Sequence, residues 1–239
     1  MATLIFVLHT DARSASGLSG QRKLRDPSLL GSGGFFSNSI KDAVSGTRLP
    51  FNPTPCQKLF DHAWAIGERT GLVLVAQSMA GFTAPLVCER VPVDLLVLLN
   101  AMVPLPGEPP GEWWANTGFE QARREQAERD GRTADDEDLI ATFFHDVPED
   151  IVAEAIRRGE PDQSGTPFEK PWPLKAWPTV PTKFLLCRDD RFFPAEFMRR
   201  VVRERLGITP DEMAGGHLVA LSRPIELADR LEAYLVGGR

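Results

Sequence analysis

The sequence predicts an α/β fold, a mostly parallel sheet wrapped by helices, with a helical cap insertion. Three observations lead there. Short apolar runs recur along the chain, and each is continuous rather than alternating, as strands covered on both faces require. Helix-forming stretches follow them, and strand–helix alternation implies parallel strands with helices on both faces. A segment of different composition then breaks this rhythm between the third and fourth runs.

The strand candidates are Thr3–Leu8, Leu72–Ala76, Leu95–Asn100 and Lys183–Cys187. Helices are expected at Met79–Arg90, Glu196–Leu206 and Pro224–Val236. The last of these places Ile225, Leu227, Ala228, Leu231 and Leu235 on one face. Residues 104–178 are rich in Pro, Trp, Glu and Arg, with helices expected at Glu120–Asp130 and Asp150–Arg158. An insertion in that position is expected to form a cap over one end of the sheet. The domain plan is therefore a core of residues 1–103 and 179–239 and a cap of residues 104–178. Within the core, residues 11–57 are irregular. Ser, Gly, Pro and Arg dominate there, and a loop of that length is unusual inside a compact domain. Val44–Leu49 reads as a poor strand and Lys58–Arg69 as a helix.

The chain has 239 residues, 42% of them apolar and 25% charged, which suits one globular domain with a real core. A net charge of −6 argues against a nucleic-acid partner. Arg199, Arg200, Arg203 and Arg205 stand at helical spacing beside Glu196 and Glu204, the pattern of a solvated helix face. Cys56, Cys88 and Cys187 are odd in number and form no C-x-x-C pair. They read as reduced thiols in a cytoplasmic protein, not as a disulfide frame or a metal site. No signal-peptide pattern and no bilayer-length apolar stretch is present, so no membrane partner is expected.

Three places carry chemistry. In Leu72-Val73-Leu74-Val75-Ala76-Gln77-Ser78-Met79-Ala80-Gly81, a buried strand runs into a serine and then a helix. This is the layout of a nucleophile elbow, whose tight turn requires small residues two before and two after the nucleophile. Ala76 and Ala80 fill those positions where Gly is usual. The second place is Asp189-Asp190 at the end of the fourth strand, where an acid can orient a histidine. The third is Gly215-Gly216-His217, on a loop before the last helix. Histidine suits general-base work near neutrality. His62 and His145 read as structural or exposed. Ser78, Asp190 and His217 then form a triad in which His217 takes the serine proton and the acid stabilises the imidazolium.

The stretches VAQSMAGFTAPLV, CRDDRFFPAEFMRRVV and GGHLVALSRPIELAD resemble the small α/β-hydrolases of the esterase and hydroxynitrile-lyase branch. The resemblance covers Met1–His9 and about Ala63–Arg239. It implies a hydrolase fold with a helical cap, no cofactor and a small-molecule substrate. It favours Asp190, four residues before Pro194, over Asp189. It also implies an oxyanion hole from the backbone N–H of Met79 and one in the loop after the first strand, at Thr10. His9, Trp113, Trp114 and Phe143 are candidates for pocket walls, with Phe119 and Phe144 nearby in sequence.

The departure from the family lies after the first strand. His-Gly is usual there, and His9-Thr10-Asp11-Ala12-Arg13 stands in its place. Residues 11–57 are either a divergent loop or the product of a shifted reading frame. The leading expectation is a serine hydrolase of small carboxylic esters or related acyl compounds. Two alternatives compete with it. One is a lyase of cyanohydrins, because His9-Thr10 resembles the His-Thr pair of plant hydroxynitrile lyases. Those enzymes place Lys directly after the catalytic histidine, and Leu218 here favours the esterase. The other is a catalytically impaired binding protein on the same fold.

Overall fold

A computed structural model describes residues 4–9, 72–132, 138–158 and 166–237. Expectations for residues 11–57, for Lys58–Arg69 and for Thr10, Cys56 and His62 lie outside these. The described residues contain a five-stranded sheet in the order β1 (Leu4–His9), β2 (Leu72–Ser78), β3 (Leu95–Ala101), β4 (Thr182–Cys187) and β5 (Asp211–Met213). Strands β2 to β5 are parallel throughout.

The strands read as unbroken apolar runs because both faces of the sheet are covered. Leu72, Leu74, Ala76, Leu96 and Leu98 face one core, shared with Phe197, Met198, Val201 and Val202 of the helix Ala195–Leu206. Val73, Val75, Val97 and Leu99 face the other, with Val219, Ala220, Leu227 and Leu231 near the C-terminus. Alternate residues of one strand thus feed opposite cores, as the pleat dictates.

Two features differ from expectation. The first is β5, whose sequence Asp-Glu-Met has no apolar run to announce it. Among the described residues it is an edge strand, and charged residues suit an edge because they discourage pairing with another chain. Arg199 holds it with a two-pronged contact to Glu212, at 2.7 and 2.9 Å. The second is the direction of β1. It pairs antiparallel to β2, with Leu4 opposite Gln77 and His9 opposite Leu72. A strand that is apolar at nearly every position satisfies a two-sided core in either direction, so its hydrophobic pattern leaves direction unspecified.

Between β3 and β4 lie the helices Pro110–Thr117, Phe119–Arg129, Leu139–Phe143, Glu149–Arg158 and Thr166–Glu169. The first of these is bound to the core by Trp113, whose indole N–H donates to the Val103 carbonyl at 3.0 Å. Buried Arg205 reinforces the junction, pairing with Glu108 and donating to the Val103 carbonyl at 2.7 Å. No helix among the described residues is long and apolar enough to cross a membrane. Cys88 and Cys187 are free thiols. Burial pushes the Cys88 thiol up to about 12 and Cys187 well above its ordinary value, with Asp190 adding to the latter, so both are poor nucleophiles.

Candidate active site

Parallel pairing brings the carboxyl ends of β2, β3, β4 and β5 to one edge of the sheet, where α/β folds place their ligands. Ser78 ends β2. Asn100 lies near the end of β3, Asp190 three residues beyond β4, and His217 four residues beyond β5.

Ser78 is 1% exposed and has φ 56° and ψ −128°. A positive φ is uncommon for a non-glycine residue and marks a backbone held in place by its surroundings. A 3-10 turn, Met79–Phe82, follows at once, and then a short helix, Ala84–Cys88. The expected single helix from Met79 is therefore two shorter pieces. Ala76 and Ala80 are both fully buried, and Gly81 packs directly on the backbone of Met102. The Ser78 hydroxyl is buried without a hydrogen-bond partner among the described residues.

The acid and the histidine are tightly bonded. His217 Nδ1 lies 2.8 Å from Asp190 Oδ2. The same oxygen accepts from Asn100 Nδ2 at 2.6 Å, while Asp190 Oδ1 accepts the backbone N–H of Phe192 at 2.8 Å and of Phe193 at 3.0 Å. Asp189 has a different task. Its carboxylate accepts the Gly215 N–H at 2.7 Å, and its own N–H donates to the Gly215 carbonyl at 3.1 Å, which clamps the histidine loop to the acid turn. Gln77, directly before the serine, donates from Nε2 to the His217 carbonyl. The rings of Phe143, Phe192 and Phe193 stand edge-on to the imidazole at 5.2, 5.3 and 5.4 Å. These apolar walls exclude water and strengthen the hydrogen bonds inside them.

The insertion touches this loop too. Asp146 Oδ2 accepts the Gly216 N–H at 2.7 Å, and Arg191, beside the acid, donates to the Ala141 carbonyl at 2.9 Å. The pKa of His145 is lowered, chiefly by burial and then by Arg191. Asp146, Asp190 and a hydrogen bond to the Asp189 backbone offset part of this.

The expected pocket residues separate. Phe143 lies against His217, and Trp114 is partly buried beside Phe192, at a ring separation of 6.0 Å. Trp113 is fully buried among Phe119, Phe193 and Phe197, so it is part of the core and not a pocket wall. His9 falls at the strand end opposite Ser78, because the antiparallel register sets it beside Leu72. Six residue steps along β2 separate those ends, about 20 Å at 3.3 Å per step. Gln77, Asn100, Asp146 and the structural part of Asp189 were not foreseen. Asn100 did leave a signal, as the one polar residue in Leu-Leu-Val-Leu-Leu-Asn-Ala.

A model of the alpha/beta hydrolase family matches residues 25–230. The match begins inside the segment 11–57 that the composition set apart. No curated protein matches the chain. Among solved structures, an extracellular alpha/beta-hydrolase from a Paenibacillus species aligns with a TM-score of 0.59 at 19% identity. The alignment covers 84% of this chain and 93% of that one, and the Paenibacillus protein shares structural and functional homology with tobacco salicylic acid binding protein 2. Polyneuridine aldehyde esterase aligns at 0.55 and 18% identity, over 74% and 76% of the two chains. A pyrethroid hydrolase aligns at 0.55 and 18% identity, over 77% and 79%. These likenesses are likenesses of fold.

Proposed function

Because this chain belongs to the alpha/beta hydrolase family, we propose that it is a serine hydrolase of small carboxylic esters or related acyl compounds, with Ser78, His217 and Asp190 as its triad. The observation that carries this reading is the 2.8 Å contact between Asp190 and His217, both buried, at the sheet edge where β2 ends in a serine at φ 56°.

With Nδ1 bound to Asp190, the other ring nitrogen of His217 is left to accept the Ser78 proton. Ser78 Oγ attacks the ester carbonyl, and Asp190 stabilises the imidazolium that forms. The N–H of Met79, first in the 3-10 turn, supplies one donor to the developing oxyanion. The imidazolium returns its proton to the departing alcohol, leaving an acyl-enzyme. Water then attacks the acyl group with His217 again as base, which frees the acid and restores Ser78. Residues 104–178 act as a cap over this edge, a reading supported by the contacts of Phe143, Asp146 and Ala141 with the histidine loop and acid turn.

A fluorophosphonate probe tests the reading. Wild type labels and Ser78→Ala does not. Folded wild-type protein that stays unlabelled sinks it.

One observation favours a second reading, an impaired hydrolase that binds without efficient turnover. The direction of β1 carries His9 to the sheet end away from Ser78. Loss of one oxyanion donor costs about 10²–10³ in rate. Slow labelling together with very slow hydrolysis of p-nitrophenyl acetate would select this reading.

A further inference from the structure

We propose that Asn100 is a positioning residue for the triad, fixing the carboxylate of Asp190 so that one defined oxygen faces His217. This rests on the triad proposed above.

The placement of Asn100 is a backbone device. Gln77 pairs with Leu99, but Ser78 pairs with Ala101, so Asn100 is the extra residue of a bulge between β2 and β3. Bulges re-aim a side chain that a regular ladder would send elsewhere. Asn100 has φ 40°, in the left-handed region that Asn tolerates better than most side chains. Its carboxamide is fully buried, and burying an amide is costly unless its groups are bonded.

The bonds also fix which way the amide points. Cys187 N–H donates to Asn100 at 2.7 Å, and a backbone N–H can only donate, so the atom it meets is the carbonyl oxygen. The NH₂ group is therefore the one aimed at Asp190 Oδ2, at 2.6 Å. Two backbone N–H groups hold Asp190 Oδ1. Among the described residues Asn100 alone joins His217 on Oδ2, and so fixes the plane of the carboxylate as seen by the imidazole. A neutral amide does this without bringing a second charge. An acid at this position would set a second carboxylate beside Asp190, and the two would repel once both are ionised. Among the described residues, the other ionisable groups near the acid and its loop are Cys187, Asp146, Asp189, His145 and Arg191. They are the same in every variant below.

Two variants and two readouts test the assignment. Asn100→Gly removes the amide while tolerating the positive φ. Asn100→Asp keeps the size and adds a carboxylate. Fluorophosphonate labelling rates are measured against pH, and the His217 ring is titrated by NMR in the same proteins. Asn100→Gly should label about 10- to 100-fold more slowly, less than the 10⁴ that follows loss of the acid's function. In Asn100→Asp the midpoints of both the labelling profile and the His217 titration should move up by about one pH unit, because a second carboxylate favours the imidazolium.

The proposal is overturned if labelling matches wild type in both variants. It is also overturned if in Asn100→Asp labelling slows evenly at every pH while the His217 titration stays in place. Failure of wild type itself to label would overturn the nucleophile reading, and the titration would still decide Asn100. An upward shift in Asn100→Asp sustains the assignment and an unmoved midpoint ends it. If the Asp variant does not fold, the labelling rate of Asn100→Gly decides, and a rate equal to wild type refutes the role.

Discussion

Asp190 accepts four hydrogen bonds and His217 is held at both its ring and its carbonyl, whereas the Ser78 hydroxyl has no partner among the described residues. Side chains from several strand ends build the histidine half of the site. Backbone geometry builds the serine half, through a residue at φ 56° and a 3-10 turn pressed on the end of β3. Hydrogen bonds orient a group without straining it. A forced turn orients a group by storing strain, which the surrounding packing must withstand. Substitutions should therefore act differently in the two halves, through backbone crowding and strain on the serine side and through unmet hydrogen bonds on the histidine side.

The largest effect is expected at Gly81. A Cβ there would lie 1.8 Å from the Met102 carbonyl oxygen and 2.9 Å from its carbon. The obstacle is backbone, and the Met102 N–H is itself bonded to the Ser78 carbonyl at 2.9 Å, so neither side can step back without distorting the elbow. Gly81→Ala should cost about 3 kcal/mol or more, the upper range for overpacking a core. Urea unfolding reads it directly. A midpoint close to wild type would mean that the serine turn is not held by this contact, and the contrast between the halves would weaken.

Ser78→Gly should go the other way. Glycine relieves the positive φ, worth about 1–3 kcal/mol, and removes a buried hydroxyl without a partner. Against this stands the extra backbone entropy of glycine, about 0.5–1 kcal/mol. A net gain of about 1 kcal/mol in unfolding free energy, together with complete loss of labelling, is the expected result. Asp190→Ala is the matching change in the other half. It leaves four donors unmet and should destabilise, since a buried donor without a partner costs about 1–3 kcal/mol. Equal shifts of the same sign in the two variants would erase the distinction.

The sequence foretold these halves unevenly, for physical reasons. Strands β2, β3 and β4 were legible because burial on both faces demands unbroken apolar runs. Their carboxyl ends lead to Ser78 and to the pair Asp189-Asp190, between which only the family resemblance chooses. The helices Ala195–Leu206 and Pro224–Gly237 were legible from their amphipathic faces. By contrast, β5 is three residues long and mostly charged, so hydropathy has nothing to register. The direction of β1 was hidden because an apolar run has no arrow. Trp113 looked like a pocket residue because composition cannot tell an aromatic core from an aromatic wall. The amides of Gln77 and Asn100 meet partners 140 and 90 residues away, and no local pattern encodes such a meeting.

The smallest effect belongs to His145, on the insertion side of the histidine loop. A Cβ on Gly216 would lie 2.6 Å from its Nε2, so the ring is pressed against the residue before His217. That nitrogen is buried without a hydrogen-bond partner among the described residues. Burial, then Arg191, holds the His145 pKa below its ordinary 6.5. The unfolded chain therefore binds a proton more readily than the folded one in that window. The stability contributed by neutral His145 is fully present above pH 6.5 and is lost as pH falls through the folded value. Solvent screening keeps the effect modest, since the ring is only partly buried. Urea midpoints of wild type and His145→Asn, compared at pH 7.5 and 5.5, measure it. Wild type should lose more stability than the variant on acidification. If both lose the same amount, the acid sensitivity of this half arises elsewhere, and the insertion contributes packing to the histidine loop without coupling it to pH.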